Sequence, residues 1–224
     1  IQTLGFRGEA LPSIASVSRL RMRTIDSAVL DSAPPLGTEV EICGGKVQKV
    51  SDTAWPVGTE GIVEDLFFNV PARRKFLKNP ATELRYLSRQ IMHYAIACPE
   101  VEFQFTHNGR SVLEAPKAEK LSTRLCQVFS ESFLENLVPV DYKHEDFHVS
   151  GFTSLPHEQR SNSQSQFIFV NRRIVKDRVL MHAIRQAYQD AIPSGTYPVV
   201  ILFLEIPPAQ IDVNVHPSKT EIRF

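Results

Sequence analysis

The chain has 224 residues, 42% of them hydrophobic, which is enough to fill one large core or two small ones and too much for a disordered tail. Lys plus Arg and Asp plus Glu are both 25, for a formal net charge of +0, so no global field draws the protein onto nucleic acid and any such binding must come from local patches. The three cysteines, Cys43, Cys98 and Cys126, are far apart and contain no Cys-x-x-Cys pair, which argues against a disulfide framework or zinc knuckle and for a reducing compartment.

Near the start, Gly5-Phe6-Arg7-Gly8-Glu9-Ala10-Leu11 reads as a glycine-flanked turn running into a helix. Two glycines let backbone approach an anion closely, and a helix N-terminus aims unpaired N–H groups and a positive dipole end at it. Neither an initiator Met nor a strand precedes the turn, so the expectation is a chain that starts inside a domain. Thr38, Val40 and Ile42 alternate up to Gly44-Gly45, with Val47 and Val50 beyond, and this predicts a hairpin on a two-residue turn. Asn79 as cap and Pro80 at the first helical position predict a helix with Leu84, Leu87, Ile91 and Ala95 on a core-facing stripe and Arg85 and Arg89 towards another face.

Val101, Phe103 and Phe105 alternate up to Asn108-Gly109, a strong hairpin signal, and Ser111 and Leu113 continue on the return strand. The polar segment Ala115 to Lys120 places a domain boundary near residue 116, followed by a helix carrying Leu121, Leu125, Val128 and Phe129. Beyond it the pattern predicts a hairpin around Lys143 to Asp146, a polar loop from Arg160 to Gln166, a strand Phe167 to Val170, a helix Arg178 to Asp190, and strands Tyr197 to Ile206 and Ile211 to Val215. The whole is an α+β arrangement. The longest apolar run, Val199 to Leu204, falls far short of the roughly 20 residues that cross a bilayer. With no signal segment either, the expected protein is soluble and intracellular, with no membrane partner.

His144-Glu145-Asp146-Phe147-His148 matches the expression H-E-x-x-H, whose histidines share a zinc only when a helix sets them on one face. Phe147 and Val149 alternate towards Gly151 as a strand does, so the two histidines are expected to flank a turn, and no metal is assigned. Two basic clusters stand out: Arg73, Arg74, Lys75 and Lys78, and then Arg172, Arg173, Lys176, Arg178 and Arg185. The second follows a strand and opens a helix, which suits phosphate contacts without base reading. The first is open to either a DNA role or an ion pair with Asp65.

Three blocks, in order, carry a resemblance: Gly5 to Leu11; Gly58-Thr59 with Asp65 to Leu77; and Asp212-Val213-Asn214-Val215-His216-Pro217-Ser218-Lys219. Together they closely resemble the MutL family of mismatch-repair proteins, within the gyrase, Hsp90, histidine-kinase and MutL (GHKL) ATPase superfamily. The resemblance implies the C-terminal part of an ATP-binding domain in residues 1–115 and, in residues 116–224, a transducer domain like the second domain of ribosomal protein S5. It also implies that Gly5, Phe6, Arg7, Gly8, Glu9, Ala10 and Leu11 form the lid over the ATP phosphates, that Thr59 contacts the nucleotide from the sheet, and that Lys219 reaches the γ-phosphate. Arg178, with Arg173, Lys176, Arg172 and Arg74, is implied in sequence-independent DNA binding.

In the family, a Glu that activates water, an Asn that holds Mg²⁺ and an Asp that reads adenine stand upstream, and no residue of this sequence occupies those positions. The chain alone is therefore expected to be inactive and to hold neither ATP nor Mg²⁺, whereas the intact protein is expected to be a slow Mg²⁺-dependent ATPase. As an ATP-dependent homodimer it would act as a clamp that couples a mismatch-recognition protein to a downstream endonuclease and helicase, in the bacterial cytoplasm at the nucleoid. A type II topoisomerase ATPase fragment and a DNA-binding scaffold without nucleotide are the competing expectations.

Overall fold

The computed structural model describes residues 8–25 and 36–210, and the expected strand Ile211 to Val215 lies outside them. The chain divides into two compact units, Ile1–Glu83 and Leu84–Phe224.

In the first unit, α1 (Ala10–Ala15) leads into β1 (Arg19–Ile25), followed by β2 (Gly37–Cys43), β3 (Lys46–Thr53) and β4 (Gly58–Glu64). These form an antiparallel sheet in the order β3-β2-β1-β4. Gly44 and Gly45 close the β2–β3 hairpin at φ +55° and +82°, the left-handed pair that a two-residue turn between right-twisted strands requires. The alternation of β1 separates Leu20, Met22 and Thr24 from Arg19, Arg21 and Arg23. A short helix, α2 (Pro71–Arg74), follows, and the division between the units falls in the first turn of α3 (Pro80–Ala97). The Asn79 carboxamide oxygen accepts the Thr82 amide at 2.9 Å, as the capping reading requires.

The second unit is layered. From α3 the chain passes through β5 (Phe103–His107) and β6 (Arg110–Ala115), α4 (Leu121–Val128), α5 (Glu131–Glu135), β7 (Leu137–His144), β8 (Phe147–Ser154) and β9 (Gln159–Arg160). Then follow β10 (Gln166–Val170), β11 (Arg173–Val175), α6 (Arg178–Tyr188), β12 (Tyr197–Pro198) and β13 (Val200–Glu205). Five of these strands form one sheet in the order β11-β10-β13-β8-β7. Only β10 and β13 run parallel, and α6 lies between them in the chain; the other pairs are antiparallel.

Both faces of the central strands are covered, which explains the unbroken apolar run of β10. Phe167 and Phe169 join Ile96, Ala97, Leu125, Leu137 and Ile201 in one cluster. Ile168 and Val170 join Val175 and Ile206 in another, with Leu180, Met181 and Ile184 of α6 packed against it. Each fully buried Phe, Ile or Leu here contributes on the order of 2 kcal/mol by removing apolar surface from water.

Two differences from the sequence expectations have physical causes. The α3 stripe is only partly a core stripe: Ala95 is buried, but Leu87 is 54% exposed, and burial concentrates on His93 and Ala95 to Ala97. The expected strand Tyr197 to Ile206 is broken at Val199, because Val199 turns its amide to the Ser154 hydroxyl at 3.0 Å and Pro198 has no amide to give. Arg124 of α4, fully buried, donates to the carbonyls of Ala115, Pro99 and Val101 at 2.8, 2.7 and 2.6 Å, and so ties the β5–β6 hairpin to the second unit.

Candidate functional site

Of the lid residues, Gly8, Glu9, Ala10 and Leu11 are described and exposed, whereas Gly5, Phe6 and Arg7 lie outside the described residues, as does Lys219. Gly8 adopts φ +64° with open space where a Cβ would stand, a conformation natural to glycine. Glu9 precedes the first turn of α1 without a side-chain cap, which leaves the amides of Ala10 and Leu11 without an acceptor inside the helix; Pro12 has none, and the Ser13 amide bonds the Glu9 carbonyl. These local features fit a backbone that meets an anion. Leu11 shares a hollow of about 360 Å³ with Pro12, Ala15, Leu20, Met22 and Ile42, so the turn after Gly8 opens onto the apolar face of the sheet. Thr59 belongs to the same face. It pairs with Thr24 across β1 and β4, and the two hydroxyl oxygens are 2.7 Å apart.

The opposite face of this sheet is ionic. Arg23 pairs with Glu39 and Glu60 and lies over the Trp55 ring, 5.1 Å from its centroid. The Glu39 carboxyl is held below the usual carboxylate range, first by its bond to Arg23. Arg19 donates to Asp65 at 3.1 Å, so the carboxylate considered as a partner for Arg73 and Arg74 is engaged by β1 instead. Arg74 is exposed on α2.

The second unit carries the basic groove. Asn171 and Arg172 take φ +46° and +65° in the tight turn between β10 and β11, and Asn171 fixes that turn by accepting from the Ile206 amide at 3.0 Å and donating to its carbonyl at 2.8 Å. The chain then passes Lys176 and enters α6 at Asp177, whose carboxylate accepts the amides of Val179 and Leu180 at 2.8 and 3.0 Å. This cap leaves Arg178 at the first helical position, exposed. Lys176, Arg178, His182 and Arg185 line a groove of about 550 Å³ together with Arg89 of α3 and the 163–166 segment.

The structure thus brings together Lys176, Arg178 and Arg185 of the expected cluster and separates out the rest. Arg172 is paired with Glu100, and Arg173 sits on β11 opposite Val170. Arg74 belongs to the other compact unit. Arg89 and His182 were not read as part of this site. A signal for His182 existed in its spacing of four from Arg178 and three from Arg185; Arg89 reaches the groove only through tertiary structure, its guanidinium donating to the Gln164 carbonyl at 3.2 Å.

Two histidines are perturbed in opposite directions. His93, 8% exposed and edge-on to Phe167, is pushed down to about 4, first by burial and then by the charges of Arg89 and Lys176. His148 is raised, first by its bond to Asp141 at 2.8 Å and then by Glu205 at 3.3 Å. It faces its strand neighbours across a hairpin that ends β7 at His144, so the helix needed by the H-E-x-x-H reading is not formed. Among the described residues no group of three or more His, Cys, Asp or Glu side chains is arranged to hold a metal, and no helix is long and apolar enough to cross a membrane.

Comparison with known proteins agrees with the three sequence blocks. Residues 125–224 match the family model described as DNA mismatch repair protein, C-terminal domain. The chain is 44% identical to the DNA mismatch repair protein MutL of Acidobacterium capsulatum and 42% identical to that of Koribacter versatilis. Both alignments include all of this chain, which spans 36% and 38% of those proteins. The Aquifex aeolicus MutL ATPase domain complexed with ADP superposes with a TM-score of 0.68 at 30% identity, over 89% of this chain and 72% of that one. The B-subunit of DNA gyrase from Myxococcus xanthus, at TM-score 0.53 and 16% identity, shares the α+β fold alone, while the closer likeness is to the mismatch-repair proteins. By sequence and by fold, this chain belongs to the MutL family of DNA mismatch repair proteins.

Proposed function

We propose that this chain serves in an ATP-switched DNA clamp, with Arg178 and Lys176 holding the phosphate backbone without reading sequence. The observation that carries the reading is the groove of the second unit: four cationic side chains, Arg89, Lys176, Arg178 and Arg185, line it in a protein whose net charge is +0. Its one carboxylate, Asp177, caps the α6 amides and offsets one of the four positive charges. Such a surface attracts phosphates through local charge and counterion release. Arg173, Arg172 and Arg74 are retained in this reading as further phosphate contacts outside the groove.

The nucleotide half of the proposal rests on the family and on local geometry. Residues 1–115 are read as the end of an ATP-binding domain and 116–224 as a transducer resembling the second domain of ribosomal protein S5. Gly8 and the uncapped start of α1 suit a phosphate, Thr59 stands on the sheet face that opens beside Leu11, and Lys219 supplies a cation to the γ-phosphate. When bound, ATP with Mg²⁺ supplies the phosphoryl group and the charge that neutralises it. This chain's residues bind and position the phosphates. In the full-length protein the coupling would join mismatch recognition to downstream excision factors. The test is sedimentation and DNA affinity of the full-length protein with a non-hydrolysable ATP analogue or with ADP. The reading expects the analogue, and not ADP, to favour a dimer and to change DNA affinity; an analogue without effect on either contradicts it.

A further inference from the structure

We propose that Arg89 of α3 forms a second wall of the basic groove and that the groove grips the phosphodiester backbone of a nucleic-acid strand between α3 and α6. The inference rests on the DNA reading above and adds a residue and a geometry to it. A row of basic residues along one helix is usually only a solvated face. Here the cations converge across a gap from three places: Arg89 on α3, Lys176 after β11, and Arg178 and Arg185 on α6.

The Arg89 guanidinium donates to the carbonyl of Gln164 at 3.2 Å. That bond fixes the side chain against the 163–166 segment and uses one of its five N–H donors. His93, one turn further along α3 and buried, has its protonation opposed first by burial and then by both Arg89 and Lys176. Two cations from separate elements therefore act on one small volume.

The lining also says which part of a nucleic acid fits. Among the described residues it holds no Phe, Tyr or Trp on which a base could stack, and its hydrogen-bonding groups besides the cations are the side chains of Ser163, Gln164, Gln166 and His182 and the Asp177 carboxylate that caps α6. Phosphates are the groups that match this surface. A single strand and one strand of a duplex present the same phosphodiesters, so both are used as probes.

The experiment measures affinity of the 224-residue chain for a single-stranded oligothymidine and for a duplex of equal length, across 50 to 200 mM salt, for wild type, Arg89→Ala, Arg89→Lys and Arg178→Glu. Loss of one phosphate contact lowers the log-log salt slope by about 0.9 on duplex and about 0.7 on single strand. Arg89→Ala is expected to show that loss on at least one probe, so that its affinity falls roughly threefold less than wild type's over that salt range. Arg89→Lys is expected to keep the wild-type slope, which a purely structural role for the Gln164 bond would not produce. The probe on which the slope changes identifies the source of the phosphates. An unchanged slope for Arg89→Ala on both probes overturns the proposal. If Arg178→Glu still lowers the slope in that case, the DNA reading survives without Arg89; if neither variant changes it, both fall.

Discussion

The Arg124 guanidinium donates to the Ala115 carbonyl at 2.8 Å from a fully buried position, and its other terminal nitrogen bonds the carbonyls of Pro99 and Val101. Burial opposes the charge and lowers the Arg124 pKa, yet the three acceptors hold the end of α3 and the β5–β6 hairpin on α4. Arg124→Met keeps much of the volume and leaves three carbonyls without a donor. At about 1 to 3 kcal/mol for each buried unsatisfied group, the expected loss is about 3 kcal/mol or more, read by urea denaturation. A loss below about 1 kcal/mol would show that these carbonyls find other partners.

Gly151 takes φ +130°, and a Cβ there would stand 2.1 Å from the Ile201 carbonyl oxygen. Gly151→Ala must therefore push β8 away from β13 at the middle of the five-stranded sheet. Strain and lost pairing together are expected to cost about 3 kcal/mol or more. Gly8→Ala, by contrast, meets open space and is expected to cost only about 1 kcal/mol for its positive φ. Thermal denaturation of the two variants checks the ranking, and equal effects would contradict it.

His93 and His148 give the stability opposite pH dependences. The His93 pKa is about 4 when folded, against an ordinary value of 6.5, so the unfolded chain binds its proton more readily. Its contribution is complete above pH 6.5 and is lost as pH falls towards 4. The shift corresponds to about 2 kcal/mol after allowing for partial solvation. The raised His148 pKa acts the other way: its contribution is present below 6.5 and is lost as pH rises through the folded value. Proton NMR titration is expected to show His93 neutral at pH 5 and His148 still charged above 6.5. His93→Leu is expected to flatten the fall in stability between pH 6.5 and 4, and an unchanged slope would contradict the assignment.

The hairpins were legible because their turns need particular residues: Gly44-Gly45 and Asn108-Gly109 all take positive φ, and such pairs are recognisable without tertiary information. The same holds for Asn79 and Asp177, which cap helices through bonds to their own first turns. Strand β1 was also present as a signal, with Arg19, Arg21 and Arg23 alternating with Leu20 and Met22, but a face made of arginines does not read as a strand until Glu39 and Glu60 stand opposite. Arg89 was not legible, because its partner Gln164 lies in a separate loop and a helix wheel shows only that it points away from the core. Leu87 misled for the same reason, since a periodic apolar position does not specify whether a neighbour covers it.

In the full-length protein, Lys219→Ala is expected to reduce ATP turnover by roughly 10²-fold, the scale of losing one donor to developing charge in a partly desolvated site. Lys219→Arg is expected to restore only part, because a planar fork replaces a compact ammonium poorly. Steady-state turnover with Mg²⁺ and ATP measures both, with circular dichroism confirming the fold. Full turnover in the Ala variant would reject the contact.

In the proposed function the α6 groove binds phosphates irrespective of sequence. Its most direct test is the salt dependence of affinity for two unrelated duplexes, comparing wild type with Arg178→Glu. The substitution sits at the first position of α6, where an acidic side chain suits the helix dipole, so circular dichroism is expected to show an intact fold. The predicted result is a log-log slope reduced by about one on both duplexes, with affinity weakened equally. An unchanged slope, or a loss confined to one duplex, would contradict the claim.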